Sequence, residues 1–124
     1  MKRQIATTAA PGAIGPYSQA IDTGAMVFAS GQIPLNPATG EMPEGIEAQT
    51  RQVISNIKAI LIRAGLTLDN VVKTTVFLAD MSYFVPMNQV YAEEFTAPFP
   101  ARSAVAVKEL PKGALVEIEV IAVR

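Results

Sequence analysis

The period of the apolar positions changes along the chain, and each change marks an element. From Ile46 onward, Ile46, Val53, Ile54, Ile57, Ile60, Leu61 and Ala64 fall on one stripe at helical spacing. This predicts a helix ending near Gly65, which suits its C-terminal cap. Glu47 and Arg51 stand four residues apart on it and are expected to pair. A second helix is predicted around Met87, Val90, Tyr91, Glu94 and Phe95, with Pro86 in its first turn and Pro98 beyond its end. Its apolar residues read as core.

Elsewhere the period is two. The segment "QIA" at 4–6 can start a short strand, and "SQAIDTGAMVFASGQIPL" reads as two strands joined by an Asp-Thr-Gly turn around 22–24. "VVKTTVFLA" at 71–79 is apolar on both faces, as a strand covered by helix on at least one side would be. In "RSAVAV", Arg102, Ala104 and Ala106 share one face, while Ser103, Val105 and Val107 take the other. In "LVEIEVIAV" at 115–123, Val116, Ile118 and Val120 take the core side. Leu115, Glu117, Glu119, Ile121 and Val123 lie opposite. "NPATGEMPEG" and "LPKGA" are turn chemistry. The order β, β, β, α, β, α, β, β predicts one α+β domain over residues 1–124, a six-stranded mixed sheet with both helices on one face. Something else must then cover the other face.

Composition sharpens that demand. Half of the 124 residues are apolar and 17% are charged, so a second subunit is expected over part of the surface. The net charge is −1 with scattered basic residues, which leaves no footprint for nucleic acid. The chain has no cysteine and no histidine, which removes thiolate chemistry, the usual zinc ligands and the usual general base. Catalysis then falls to carboxylates, tyrosines, lysines, arginines or backbone, and the chain needs no metal to fold. No run approaches the length of a membrane span, and a soluble, cytoplasmic protein is expected.

Few residues stand out as candidate chemistry. Arg102 sits at the mouth of a strand face otherwise made of alanines, a fixed cation with open space beside it. An edge-strand arginine paired with a surface carboxylate explains it as well. Glu117 and Glu119 interrupt an apolar face, and if that face is covered each needs a partner or a purpose. Arg102 is an obvious candidate partner for one of them, or a co-worker with it at a shared site. Tyr17 follows the Gly-Pro corner of "GAIGPYSQA", and Ser30 and Gly31 stand where the strand of "FASGQIPL" ends, a place for close backbone approach. Solvated glutamates, a packing tyrosine and a plain turn remain open alternatives. The residues alone point no further than a site for a small carboxylate.

"PARSAVAVKELPKGALVEIEVIAV" resembles the C-terminal signature of the RidA (YjgF) family of reactive intermediate, or imine, deaminases. The resemblance continues through "GAIGPYSQA", "ASGQIPLNPATGE", "QTRQVISNIKAIL" and "VVKTTVFLADM", covering essentially the whole chain. It implies a chorismate-mutase-like subunit and a homotrimer whose sheets line a central barrel, with sites in the clefts between subunits. It implies hydrolysis of 2-imino acids, in equilibrium with their enamines, to 2-keto acids and ammonium without a cofactor. By motif, Arg102 matches the arginine that grips the substrate carboxylate and Glu117 the glutamate that activates water, while Tyr17, Ser30, Gly31 and Asn88 match positions that line or support the cleft. Ala104 stands where the family usually has cysteine; its backbone, with that near Gly31, is expected beside the imine nitrogen. A covalent thiol mechanism is thereby lost, but direct addition of water to C=N is not. A non-catalytic sensor of small 2-keto acids, a trimeric interaction or chaperone-like protein, and a ribonuclease are the competing readings.

Overall fold

The stripe from Ile46 folds as a helix because one side of it has a sheet to cover. In the computed structural model, which describes residues 1–124, helix α1 spans Ile46–Arg63 and fully buries Val53, Ile54, Ile57, Ile60 and Leu61. Each such side chain contributes about 1.5–3 kcal/mol by leaving water. The helix ends as predicted: Gly65 takes φ 78°, and the amides of Gly65 and Leu66 bond back to the carbonyls of Ile62 and Leu61. Helix α2 spans Phe84–Glu94 and buries Met87, Val90 and Tyr91.

The strands are β1 (Arg3–Ile5), β2 (Ala20–Asp22), β3 (Met26–Gln32), β4 (Val71–Leu78), β5 (Ala101–Ala106) and β6 (Val116–Val123). They form one sheet in the order β1-β2-β3-β6-β4-β5, antiparallel except for the β4–β5 pair. That parallel pair requires a crossover, and α2 provides it. The α+β reading therefore holds, with six strands in a mixed sheet and both helices on one face.

Register assigns the two faces. Val27 and Ala29 of β3, Val116, Ile118 and Val120 of β6, and Thr74, Val76 and Leu78 of β4 are all buried beneath the helices. On the opposite face Phe28 aligns with Ile121, and Phe77 aligns with Glu117 on one side and Val105 on the other. Phe28 and Val105 are more than 40% exposed. No element of the chain covers this face.

The expected Glu47–Arg51 pair does not form. Arg51 reaches across to α2 instead, 2.7 Å from Glu93 and 3.9 Å from Glu94, and Lys58 lies 2.6 Å from Glu94. The two helices pack side by side, so opposite charges on neighbouring helices come closer than those one turn apart on α1.

Candidate functional site

Glu117 lies near the start of β6, on the uncovered face. Its seat depends on an irregularity in the neighbouring strand: β3 pairs with β6 through Ala29–Val120 and again through Gln32–Ile118, so Ser30 and Gly31 together oppose one residue. This bulge turns Gly31 toward the carboxyl group of Glu117, and a β-carbon at position 31 would stand 3.0 Å from its Cδ. Partial burial raises the proton affinity of Glu117 above the ordinary glutamate level, and the neighbouring charge of Glu119 adds to the rise. No cation of the chain opposes the shift.

A cleft of about 500 Å³ opens beside this carboxyl, lined by Tyr17, Gln19, Ser30, Gly31, Ile33 and Glu117 among others. Its wall is tied down by Gln19, buried to 4% exposure. The Gln19 Nε2 donates to the carbonyls of Thr7 and Pro11 at 3.0 and 2.7 Å, and its Oε1 accepts from the Thr7 amide at 2.7 Å. Ser30 Oγ donates to the Ser18 carbonyl at 2.7 Å, and the Ser30 amide donates to the Gln19 carbonyl. The loop carrying Tyr17 is thus stitched to the bulge that carries Gly31, while the Tyr17 ring remains half exposed.

Arg102 occupies a different place. It aligns with Thr74 of β4, hence lies on the helix-covered face at the edge of the sheet. Its Nη1 donates to Asn88 Oδ1 of α2 at 2.6 Å, and its guanidinium lies 4.8 Å from the Tyr91 ring centroid and 5.4 Å from that of Phe84. Tyr91 is itself held by Thr74, 2.8 Å between hydroxyls. The result is a cation fixed against two rings and an amide, beside a cleft of about 420 Å³ lined by Asn88, Tyr91, Ala92, Phe99, Pro100 and Arg102. Ala104 follows on the same face, opposite Val76 and packed against the core.

The sequence-predicted residues therefore fall into two separate groups. Tyr17, Ser30, Gly31 and Glu117 come together in one; Arg102 and Asn88 come together in the other, with Ala104 two residues along the same strand. The expectation that Arg102 pairs with Glu117 or Glu119 is corrected. Within the chain they lie on opposite faces of the sheet, because alternation places Arg102 with Thr74 and Glu117 with Phe77. Within one chain Arg102 accordingly plays no part in setting the proton affinity of Glu117. Asn88 orients the arginine directly.

Sequence reasoning missed Phe84 and Tyr91 as the platform beneath Arg102, although Phe84, Asn88 and Tyr91 share one helix face at spacings of four and three. It also missed Gln19, which bonds to backbone carbonyls of an aperiodic loop and leaves no pattern to read.

The family model described as endoribonuclease L-PSP matches residues 7–124. The 2-iminobutanoate/2-iminopropanoate deaminase of Escherichia coli is 53% identical, over 100% of this chain and 99% of that protein. Among solved structures, a Rid family protein from Yersinia pestis superposes with a TM-score of 0.97 at 55% identity, over 100% of both chains. E. coli TdcF with bound serine gives 0.94 at 49% identity over 98% of both. RidA from a Psychrobacter species gives 0.96 at 48% identity over 98% of this chain and 99% of the other. With the family model matching residues 7–124 and relatives about half identical over essentially the whole chain, the chain belongs to the RidA family.

Proposed function

We propose that this protein hydrolyses reactive 2-imino acids, such as the 2-aminoacrylate/2-iminopropanoate pair, to 2-keto acids and ammonium. The site is completed between the subunits of a homotrimer, Arg102 of one subunit facing the Glu117 cleft of the next. The observation that carries this reading is the seat of Glu117, a carboxyl of raised proton affinity over Gly31 in an open cleft. The uncovered apolar face supports the assembly, and the 53% identical E. coli deaminase supports the reaction. The serine carried by the TdcF structure is a small amino acid whose carboxylate suits a mounted guanidinium.

The chemistry follows from the two halves. Arg102, stacked on Tyr91 and Phe84 and held by Asn88, grips the substrate carboxylate in a fixed orientation, which a lysine's point charge would not do. Water adds to the carbon of the protonated C=N group as Glu117 accepts its proton, forming a carbinolamine. Glu117 then returns that proton to the nitrogen and takes up the hydroxyl proton as the C–N bond breaks and the C=O forms; the departing ammonia carries this last proton away as ammonium, and the 2-keto acid leaves. The electrophile arrives already activated, so no cofactor takes part. The cytoplasm, where pyridoxal-phosphate dehydratases release such enamines, is the compartment this function asks for. The ribonuclease wording of the family description finds no support in a chain with no histidine and scattered basic charge.

The test generates 2-aminoacrylate from serine with a purified dehydratase, traps imine with semicarbazide and follows pyruvate. Faster pyruvate release and less trapped imine, both lost in Arg102→Ala, are expected. No effect on either signal with folded protein would overturn the hydrolase and leave a carboxylate-binding sensor, which the missing thiol at Ala104 would suit.

A further inference from the structure

Three of the chain's five arginines converge on one cavity that the proposed reaction does not use. Arg3, Arg63 and Arg124 line a space of about 390 Å³ with Gln4, Ile5, Ala6, Asp22 and Ala64, between the β1–β2 edge and the end of α1. Asp22 ends β2, whereas Tyr17 and Gln19 of the Glu117 cleft precede that strand's start. Asp22 is the one carboxylate among the lining residues, and it is buried and spoken for. One of its oxygens accepts from the Arg124 guanidinium at 2.5 Å, the other from the Gly24 amide at 2.8 Å. These contacts hold its carboxyl below the usual aspartate range, so it stays ionised and fixes Arg124.

The other two guanidinium groups are not neutralised in this way. Arg3 stands 3.9 Å from Asp22 with its side chain mostly exposed, and the Arg63 Nε donates to the Ala6 carbonyl at 3.1 Å. Three positive charges against one negative leave a formal excess of two in a cavity at the small end of the range for ligand sites. Such an excess fits a dianion, and the planar forks of the Arg3 and Arg63 guanidinium groups match adjacent oxygens of a tetrahedral phosphate.

We infer that this cavity is a second ligand site, taking inorganic phosphate or the terminal phosphate of a small metabolite between Arg3 and Arg63, with Arg124 held in place by Asp22. Bound ligand stabilises the folded protein by mass action. The inference stands independently of the deaminase reading.

Thermal unfolding and titration calorimetry at constant ionic strength test it, with sodium phosphate, glycerol 3-phosphate and sodium chloride as separate arms. Phosphate or the phosphomonoester is expected to raise the unfolding midpoint by several degrees over chloride; tighter binding of the ester identifies an organic ligand, tighter binding of phosphate the free ion. Arg3→Gln and Arg63→Gln spare the Asp22–Arg124 pair, and each is expected to weaken binding about tenfold. Equal midpoints in phosphate and chloride would overturn the inference. So would unchanged affinity in the Arg3→Gln/Arg63→Gln double variant, or loss of binding in Arg102→Ala, which would place the anion on the other guanidinium.

Discussion

A β-carbon on Gly31 would come within 2.1 Å of Glu117 Oε2, so the absence of a side chain at one position is what seats the carboxyl at the other. The obstructed atoms all belong to the glutamate side chain and none to backbone. Gly31→Ala is therefore expected to fold with near wild-type stability while swinging Glu117 out of its cleft. Its kcat/KM should fall about a hundredfold or more, the range of a lost general base, and Glu117→Gln should fall alike. A Gly31→Ala enzyme of full activity would show that the seat is not needed.

Arg102 and Glu117 lie on opposite faces of one sheet, so a site using both takes them from different subunits. Arg102→Ala and Glu117→Gln proteins, each inactive alone, should regain activity when unfolded and refolded together. Random mixing gives about a quarter of wild-type sites both intact groups. Activity no higher than that of the separate variants would overturn the shared site.

Arg102→Lys keeps the charge but loses the fork and the stacking on Tyr91 and Phe84. The expected result is a KM raised about tenfold or more with a smaller effect on kcat, read from saturation kinetics. Asn88→Ala should move the same parameter in the same direction, and less far. Equal losses in kcat and kcat/KM would instead place Arg102 in the chemical step.

The raised proton affinity of Glu117 has two measurable consequences. As the base, it must be ionised, so kcat/KM should fall as pH drops through its raised value, and Glu119→Gln should move that limb to lower pH by removing the second cause of the rise. For stability the sign is opposite: the folded chain binds the proton more tightly than the unfolded one. The stabilisation is complete below the ordinary glutamate value of 4.5 and is lost as pH rises through the folded value. Glu117→Gln should flatten the midpoint-versus-pH curve in that interval.

Ala104 packs against the core opposite Val76, where one added sulfur is a small change. Ala104→Cys is expected to fold normally and to alter kcat/KM by no more than about threefold, since water and not a thiol attacks the imine. A large gain abolished by alkylation would assign the thiol a chemical role.

Much of this protein was legible in its sequence because it depends on local period. The stripe from Ile46 to Ala64 specifies a helix that buries one side, and alternation in β5 and β6 assigns Arg102 and Glu117 each to a face of its own strand. The Gly65 cap is a one-residue backbone requirement. What alternation cannot supply is the relation between strands: that β4 separates β5 from β6, and that Arg102 and Glu117 consequently face apart, is a matter of sheet order and register. The same holds for Arg51, whose partners stand more than forty residues away on α2, and for Gln19, whose amide meets carbonyls of a loop without period. Three arginines spread from position 3 to position 124 looked like scattered charge until the β1–β2 edge, the end of α1 and the end of β6 met in one place. Local backbone preference and burial period act over a few residues and can be read in order along the chain; the meeting of distant side chains is decided only when the sheet closes its register and the helices pack upon it.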